Sequence, residues 1–416
     1  MTLRALRLLP LLLLAAGVCA LPATAASVQV NAGALDHFRV TVAGTPLAGE
    51  PFTVRIEAVD AFDNLLTDYA ATGRGVRVSV IGRGTVNPVS VEAGQFGGGI
   101  ATLAVTHPVA EAVTVRVMER EGRARGESGS IVVKPGVIDH FRLTVPALAR
   151  AGEAFPATIT AFDRFNNLLT DYDARYRGVA LTPGGVGKLT PALVPAAQFS
   201  NGSAAVQLTY DIAEAVTITV RDQERPASAL SSPVQMQAGP LAKLQVIAPR
   251  AGVAGAAFRI ALEAKDAFGN TILDYATSGR GVELSGSGAG RLTPQTVEAG
   301  QFRQGVAFVT LSYTGADNVV LSVRDRGSRG VTGTSEPVAF AAGALGSFAV
   351  EAPETAEAGV PFTVKVTAAD VYGNVIRDFS RSGQTVLLRH SGALPEAKTP
   401  VAADAFVDGV TSVPLT

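Results

Sequence analysis

The densest group of side chains able to do chemistry is Asp60, Asp63, Asn64 and Asp68. Carboxylate and amide oxygens this close in sequence are what a calcium ion takes, although calcium wants about six to eight oxygens. Segments that otherwise match carry Asn166, Gly269 and Gly373 in place of Asp63. Asp, Asn and Gly are the residue types that tolerate a left-handed backbone, Gly best. The exchange therefore predicts a tight turn with positive φ, in which Asp60 accepts hydrogen bonds from turn N–H groups. Calcium ligation by Asp60, Asp63 and Asp68 is the alternative. The same turn is expected at Asp163 and Asn167, at Asp266 and Asn270, and at Asp370 and Asn374.

Other reactive side chains are scattered. The four histidines are His37, His107, His140 and His390. His37 and His140 are equivalent, but the third and fourth copies carry Lys243 and Ser347 there, which suits a surface position near a joint better than a catalytic base. Neither an H-E-x-x-H or G-x-S-x-G motif nor a cysteine cluster is present. Gly184 to Lys188 superficially resembles a phosphate loop, yet Lys188 is followed by Leu189 and no helix pattern follows, so a hairpin loop is expected. Tryptophan is absent, which leaves few aromatic platforms for a sugar. Tyr69, Tyr172 and Tyr275 share one position with Phe379, so that position should pack rather than react. The Glu119–Arg125 loop, rich in both charges, reads as solvated. No catalytic residue, cofactor or enzyme activity is expected.

The elements that hold these residues follow from an internal repeat. Ala48-Gly49-Glu50-Pro51-Phe52 returns at Ala151–Phe155, Ala254–Phe258 and Ala358–Phe362, with its glycines 103, 103 and 104 residues apart. Asp60, Asn64 and Asp68-Tyr69 recur in the same phase, as does Phe96 at Phe199, Phe302 and Phe406. Within a copy the apolar period is two. Phe52, Val54, Ile56 and Ala58 alternate with Thr53, Arg55 and Glu57, the mark of a strand with one face in a core. About seven such strands per period predict a two-sheet sandwich, and no helix is expected beyond the N-terminal segment.

That segment places Arg4 and Arg7 before an apolar run from Leu8 to Ala20, then small residues Ala23 to Ala26. The order is that of a secretory signal peptide, too short for a permanent span, with cleavage near Ala25 or Ala26. The single cysteine, Cys19, lies inside it. A lipoprotein would need a small residue where Val18 stands. The formal net charge of -1, without basic or acidic blocks, argues against nucleic acid or an anionic membrane as partner. Export to the cell surface, periplasm or medium is expected, with no transmembrane span after signal removal.

The pattern A-G-x-x-F-x-V-x-x-x-A-x-D-x-x-G-N, seen at Ala254–Asn270 and Ala358–Asn374, resembles bacterial Ig-like repeats of the invasin/intimin type. The first two copies depart from it at Asp63 and Asn166. The resemblance implies an all-β fold of tandem immunoglobulin-like sandwiches in an elongated rod, exposed at a cell surface and serving adhesion or projection. The expected divisions are a signal peptide at 1–26, a stub at 27–33, and repeats at 34–136, 137–239, 240–343 and 344–416. The last repeat lacks about two strands, which suggests continuation into further C-terminal domains. Three roles fit: a structural stalk, an adhesive module whose loops hold a protein or glycan, and an accessory part of a larger secreted enzyme.

Overall fold

The structure is a computed structural model and describes residues 28–328, 330–389 and 398–416. The expected signal peptide with Cys19, and His390, lie outside the described residues. No helix among them is long and apolar enough to cross a membrane. The chain is all-β and divides into two compact units, Met1–Gly136 and Val137–Thr416.

The first unit holds one sandwich. Strands His37–Val42, Phe52–Val59 and Ile100–Val105 form an antiparallel sheet, with Val40 opposite Ile56 and Ile56 opposite Ala101. The facing sheet pairs Val76–Ile81 with Ala112–Glu119, flanked by Ser90–Val91 and Arg125–Glu127. Alternation decides which side chains go inside. Val54, Ile56 and Ala58 are sealed from solvent, while Thr53 and Arg55 face out. The inward set meets Phe38, Tyr69, Phe96, Val115 and Val117 in one core. Each Val, Ile or Phe so buried contributes roughly 1.5–3 kcal/mol.

The second unit contains three such cores, gathered around Ile159 and Val220, around Leu262 and Val323, and around Val366 and Phe406. In its first sandwich the strands Ile138–Thr144, Phe155–Asp163 and Ser203–Tyr210 make one antiparallel layer. Gly178–Pro183, Ile218–Asp222 and Ser228–Leu230 make the facing layer. This sandwich has eleven strands instead of about seven, because several runs split as they change layer. Ala215–Val216 pairs with Val234–Gln237, and after Thr217 the same run pairs with Gly178–Pro183. Strands that switch sheets at a bend form the corners of sandwiches.

The A-G motif makes one of these corners. Leu148–Arg150 runs parallel to Val234–Gln237, and the chain then turns at Gly152 with φ of 77° into Phe155–Asp163. Ala151 N–H donates to the carbonyl of Gln237, and Gly152 N–H to that of Tyr210. The third copy repeats both bonds, from Ala254 to Ala341 and from Gly255 to Tyr313. The motif thus stitches two sheets at a point where only glycine turns freely.

One expectation fails. Helices do occur outside the N-terminal segment, as single turns at Tyr69–Thr72, Tyr172–Arg175 and Tyr275–Ser278, with a 3-10 turn at Phe379–Arg381. Four residues are too few for a 3.6-residue period to register in the sequence.

Candidate functional site

The repeated aspartate sits at the end of the strand that follows A-G-x-x-F, and it is buried in all four copies. Asp60 Oδ1 accepts the N–H groups of Phe62 and Asn64, each at 2.9 Å. Its Oδ2 accepts Asn64 Nδ2 at 3.1 Å and Gly33 N–H at 2.8 Å. Asp266 and Asp370 repeat all four bonds, using Gly239 and Gly343 as the distant donors. Asp163 takes the three local ones, from Phe165 and from the backbone and side chain of Asn167. The turn has the positive φ that its residue types demand: 64° at Asp63, 63° at Asn166, 90° at Gly269 and 84° at Gly373.

These bonds set the charge on the carboxylates. The N–H of Gly33, followed by the Asn64 side chain, holds Asp60 well below the usual carboxylate range, against the opposing effect of burial. For Asp266 and Asp370 burial pushes upward most strongly. It is outweighed by the side chains of Asn270 and Asn374 together with the backbone donors. Four N–H donors aimed at one carboxylate make it a fixed anion at the hub of the turn.

The three aspartates considered for calcium do not converge. Asp60 faces amides, while Asp63 pairs with Arg39 at 3.1 Å and lies 3.4 Å from His37 Nε2. Asp68 precedes the helical turn, where its carbonyl accepts the N–H groups of Ala71 and Thr72. Among the described residues no three His, Cys, Asp or Glu gather to hold a metal. His37 and His140 are partly exposed, each beside the aspartate that precedes it.

Within the second unit the asparagine of the turn has a further role. Asn270 Nδ2 donates to the carbonyl of Asp211 at 2.8 Å, and its Oδ1 accepts Ala213 N–H at 2.9 Å. Both partners belong to the preceding sandwich. Asn374 does the same, donating to Thr314 at 2.8 Å and accepting from Ala316 at 3.1 Å. Phe268 and Tyr372, two residues past each aspartate, lie against Gly152 and Gly255, where a Cβ would overlap the ring. The A-G corner of one module is therefore the socket for the turn of the next.

Sequence reasoning missed this joint, and it missed the glycine donors. Gly33, Gly239 and Gly343 all stand 27 residues before their aspartates, a constant spacing that signals the pairing. Gly33 falls in the expected stub at 27–33, yet it donates to Asp60 of the first repeat. Asn31-Ala32-Gly33-Ala34-Leu35 in fact matches Gln237–Leu241 and Ala341–Leu345.

The tyrosine position does more than pack. Tyr172 and Tyr275 are sealed in their cores, and their hydroxyls donate to the buried carboxylates of Asp222 and Asp325. Burial first, and those carboxylates second, push both phenols far up. Tyr69 makes longer contacts, 3.5 Å to both Gly75 O and Glu119, and Phe379 fills the same place with no hydroxyl.

No family model and no curated protein matches the chain. Among solved structures it is similar to invasin, a bacterial integrin-binding protein, at 14% identity over 85% of this chain and 70% of that one, with a TM-score of 0.31. It is similar to InvD of Yersinia pseudotuberculosis at 16% identity over 71% of this chain and 95% of that one, with a TM-score of 0.32. It is also similar to domains 1–6 of the surface layer protein SbsC at 12% identity over 93% of this chain and 53% of that one, with a TM-score of 0.22.

Proposed function

We propose that the chain is an exported, non-catalytic array of Ig-like modules that acts as a stalk or spacer of a bacterial surface protein. The observation that carries this reading is the joint seen twice in the second unit. At Asn270 and again at Asn374 one side chain closes its own turn and holds the loop of the preceding module. A spacer must resist bending, and a joint with a buried anion, a spanning amide and a ring on a glycine is built to do so. The segments between cores, such as Ala238–Leu241, are too short to act as flexible linkers. Export is supported by the order of charge, apolar run and small residues at Arg4 to Ala26.

Small-angle scattering tests the proposal. The expected maximum dimension is well above that of a globular protein of 42.6 kDa, and the double variant N270A/N374A should broaden the distance distribution. A compact sphere, or a distribution that the double variant leaves untouched, would sink it.

A further inference from the structure

In the first module His107 is sealed from solvent, and both of its ring nitrogens face acceptors. Nδ1 lies 3.2 Å from the carbonyl oxygen of Thr85, and Nε2 lies 3.3 Å from Glu111 Oε1. Both oxygens of Glu111 accept hydrogen bonds from the hairpin before it. Oε1 takes the N–H groups of Arg83 at 2.7 Å and Gly84 at 3.1 Å, and Oε2 takes Arg83 Nε at 3.2 Å. Burial pushes this carboxyl up most strongly, but those donors outweigh it and hold it below the usual range. A carbonyl and a carboxylate cannot donate, so the ring satisfies both only as an imidazolium with two N–H groups. A neutral ring would turn a lone pair toward one of the two oxygens.

The two following modules build the same position differently. Gly49 N–H donates to the carbonyl of His107 at 2.8 Å, as Gly152 and Gly255 do to Tyr210 and Tyr313. Tyr210 Oη donates to Glu214 and accepts the N–H of Gly187 at 2.7 Å. Tyr313 Oη accepts the N–H of Gly290 at 2.8 Å, and Asp317 stands where Glu111 and Glu214 do. A phenol both donates and accepts, so it joins hairpin to acid while neutral. Burial first, and Glu214 second, push the Tyr210 hydroxyl up to about 12.

We infer that His107 is a pH-sensitive latch of the first module, closing the hairpin loop 82–85 in acid and releasing it when the ring loses a proton. The charged groups that face the ring are Glu111 and, through it, Arg83. Gly84 and Val109 supply the uncharged surface, and a Cβ on Gly84 would overlap the ring. With two protons the ring ties Thr85 to Glu111. As pH rises and one proton leaves, one of those ties becomes an unsatisfied contact inside the protein, and the loop loosens. The residue that titrates also carries the carbonyl that holds Gly49 N–H, so the latch lies at the A-G corner of its own module.

Amide exchange of the full chain, read by mass spectrometry and corrected for intrinsic rates, tests this together with ring 15N spectra of the histidines. Between about pH 5 and 9, a span that covers histidine titration, the His107 ring should pass from two protons to one. Protection of loop 82–85 should fall about tenfold with the same midpoint, while the equivalent loops 185–188 and 288–291 change less than about twofold. His107→Tyr installs the residue of the two following modules and should abolish the step, with circular dichroism verifying the fold. The parent's own titration decides the matter if that variant does not fold. The inference is overturned if the ring keeps the same protons across the span, if loop protection does not follow the ring, or if folded His107→Tyr retains the step.

Discussion

Asn64 and Asn270 occupy the same turn and differ in what lies against them. Asn64 serves Asp60 alone among the described residues, and Phe62 beside it is 85% exposed. Asn270 serves Asp266 and also spends its second amide N–H and its carbonyl on the preceding module. One local structure thus does two jobs, and a neighbouring module decides whether the second is performed. A residue chosen to close a turn came to hold an array together because a carboxamide has more hydrogen-bonding capacity than the turn uses.

The aspartate belongs to both settings, so breaking it should give the largest effect and the smallest contrast. Asp266→Ala leaves the N–H groups of Gly239, Phe268 and Asn270 without their acceptor. At about 1–3 kcal/mol for each unsatisfied buried donor, partly relieved by water, the loss should be on the order of 3–5 kcal/mol. Asp60→Ala should cost its own module a similar amount. Chemical denaturation with amide exchange at the turn measures both, and a benign Asp60→Ala would show that the turn is not a common scaffold. The same carboxylates set the acid limit. Their folded pKa values lie below the unfolded value of about 3.9. Their contribution is therefore fully present above that value and lost as pH falls through the folded one. Unfolding midpoints of the parent should drop as pH falls below about 4, and those of Asp266→Asn should be flatter there.

The asparagine separates the two settings. Asn64→Ala removes only bonds within its turn, about 1 kcal/mol. Asn270→Ala also strips partners from Asp211 O and Ala213 N–H, so it should cost about 1–2 kcal/mol more. The extra cost should appear as faster amide exchange at Ala213, across the joint. Equal effects at Asn64 and Asn270 would mean that the inter-module bonds contribute nothing in solution.

How much of this could be read from the sequence depends on how far apart the partners lie. The left-handed turn was legible because its evidence is a single position that alternates among Asp, Asn and Gly. The strand faces were legible because alternation is local. The joint was not, since Asn270 meets Asp211 from 59 residues away and nothing about an asparagine announces a second partner. The helical turn after each D-Y was hidden by its length. The tyrosine position packs as its exchange with Phe379 predicts, but the partner of its hydroxyl is hidden for another reason. Phe379 shows that the position can do without a hydroxyl, but not that the hydroxyl is idle where it occurs, and the carboxylate it reaches is 50 residues along the chain.

That tyrosine supplies the finest contrast between the two units. In the second unit Tyr275 donates to Asp325, a buried acid whose other oxygen takes Ser328 N–H. In the first unit Tyr69 has only 3.5 Å contacts, with Gly75 O and with Glu119, whose side chain is the less confined acceptor. Removing the hydroxyl leaves the ring packing intact, as Phe379 demonstrates within the same chain. The cost is then confined to the abandoned acceptor. A hydrogen bond to a charged group is worth about 1.5–3 kcal/mol, so Tyr275→Phe should lie near the lower end of that range. Tyr69→Phe should cost less than about 1 kcal/mol, since bonds at 3.5 Å are at the limit of useful geometry. If Tyr69→Phe proved the costlier change, the hydroxyl would matter through packing, and the buried acid would not be what distinguishes the modules.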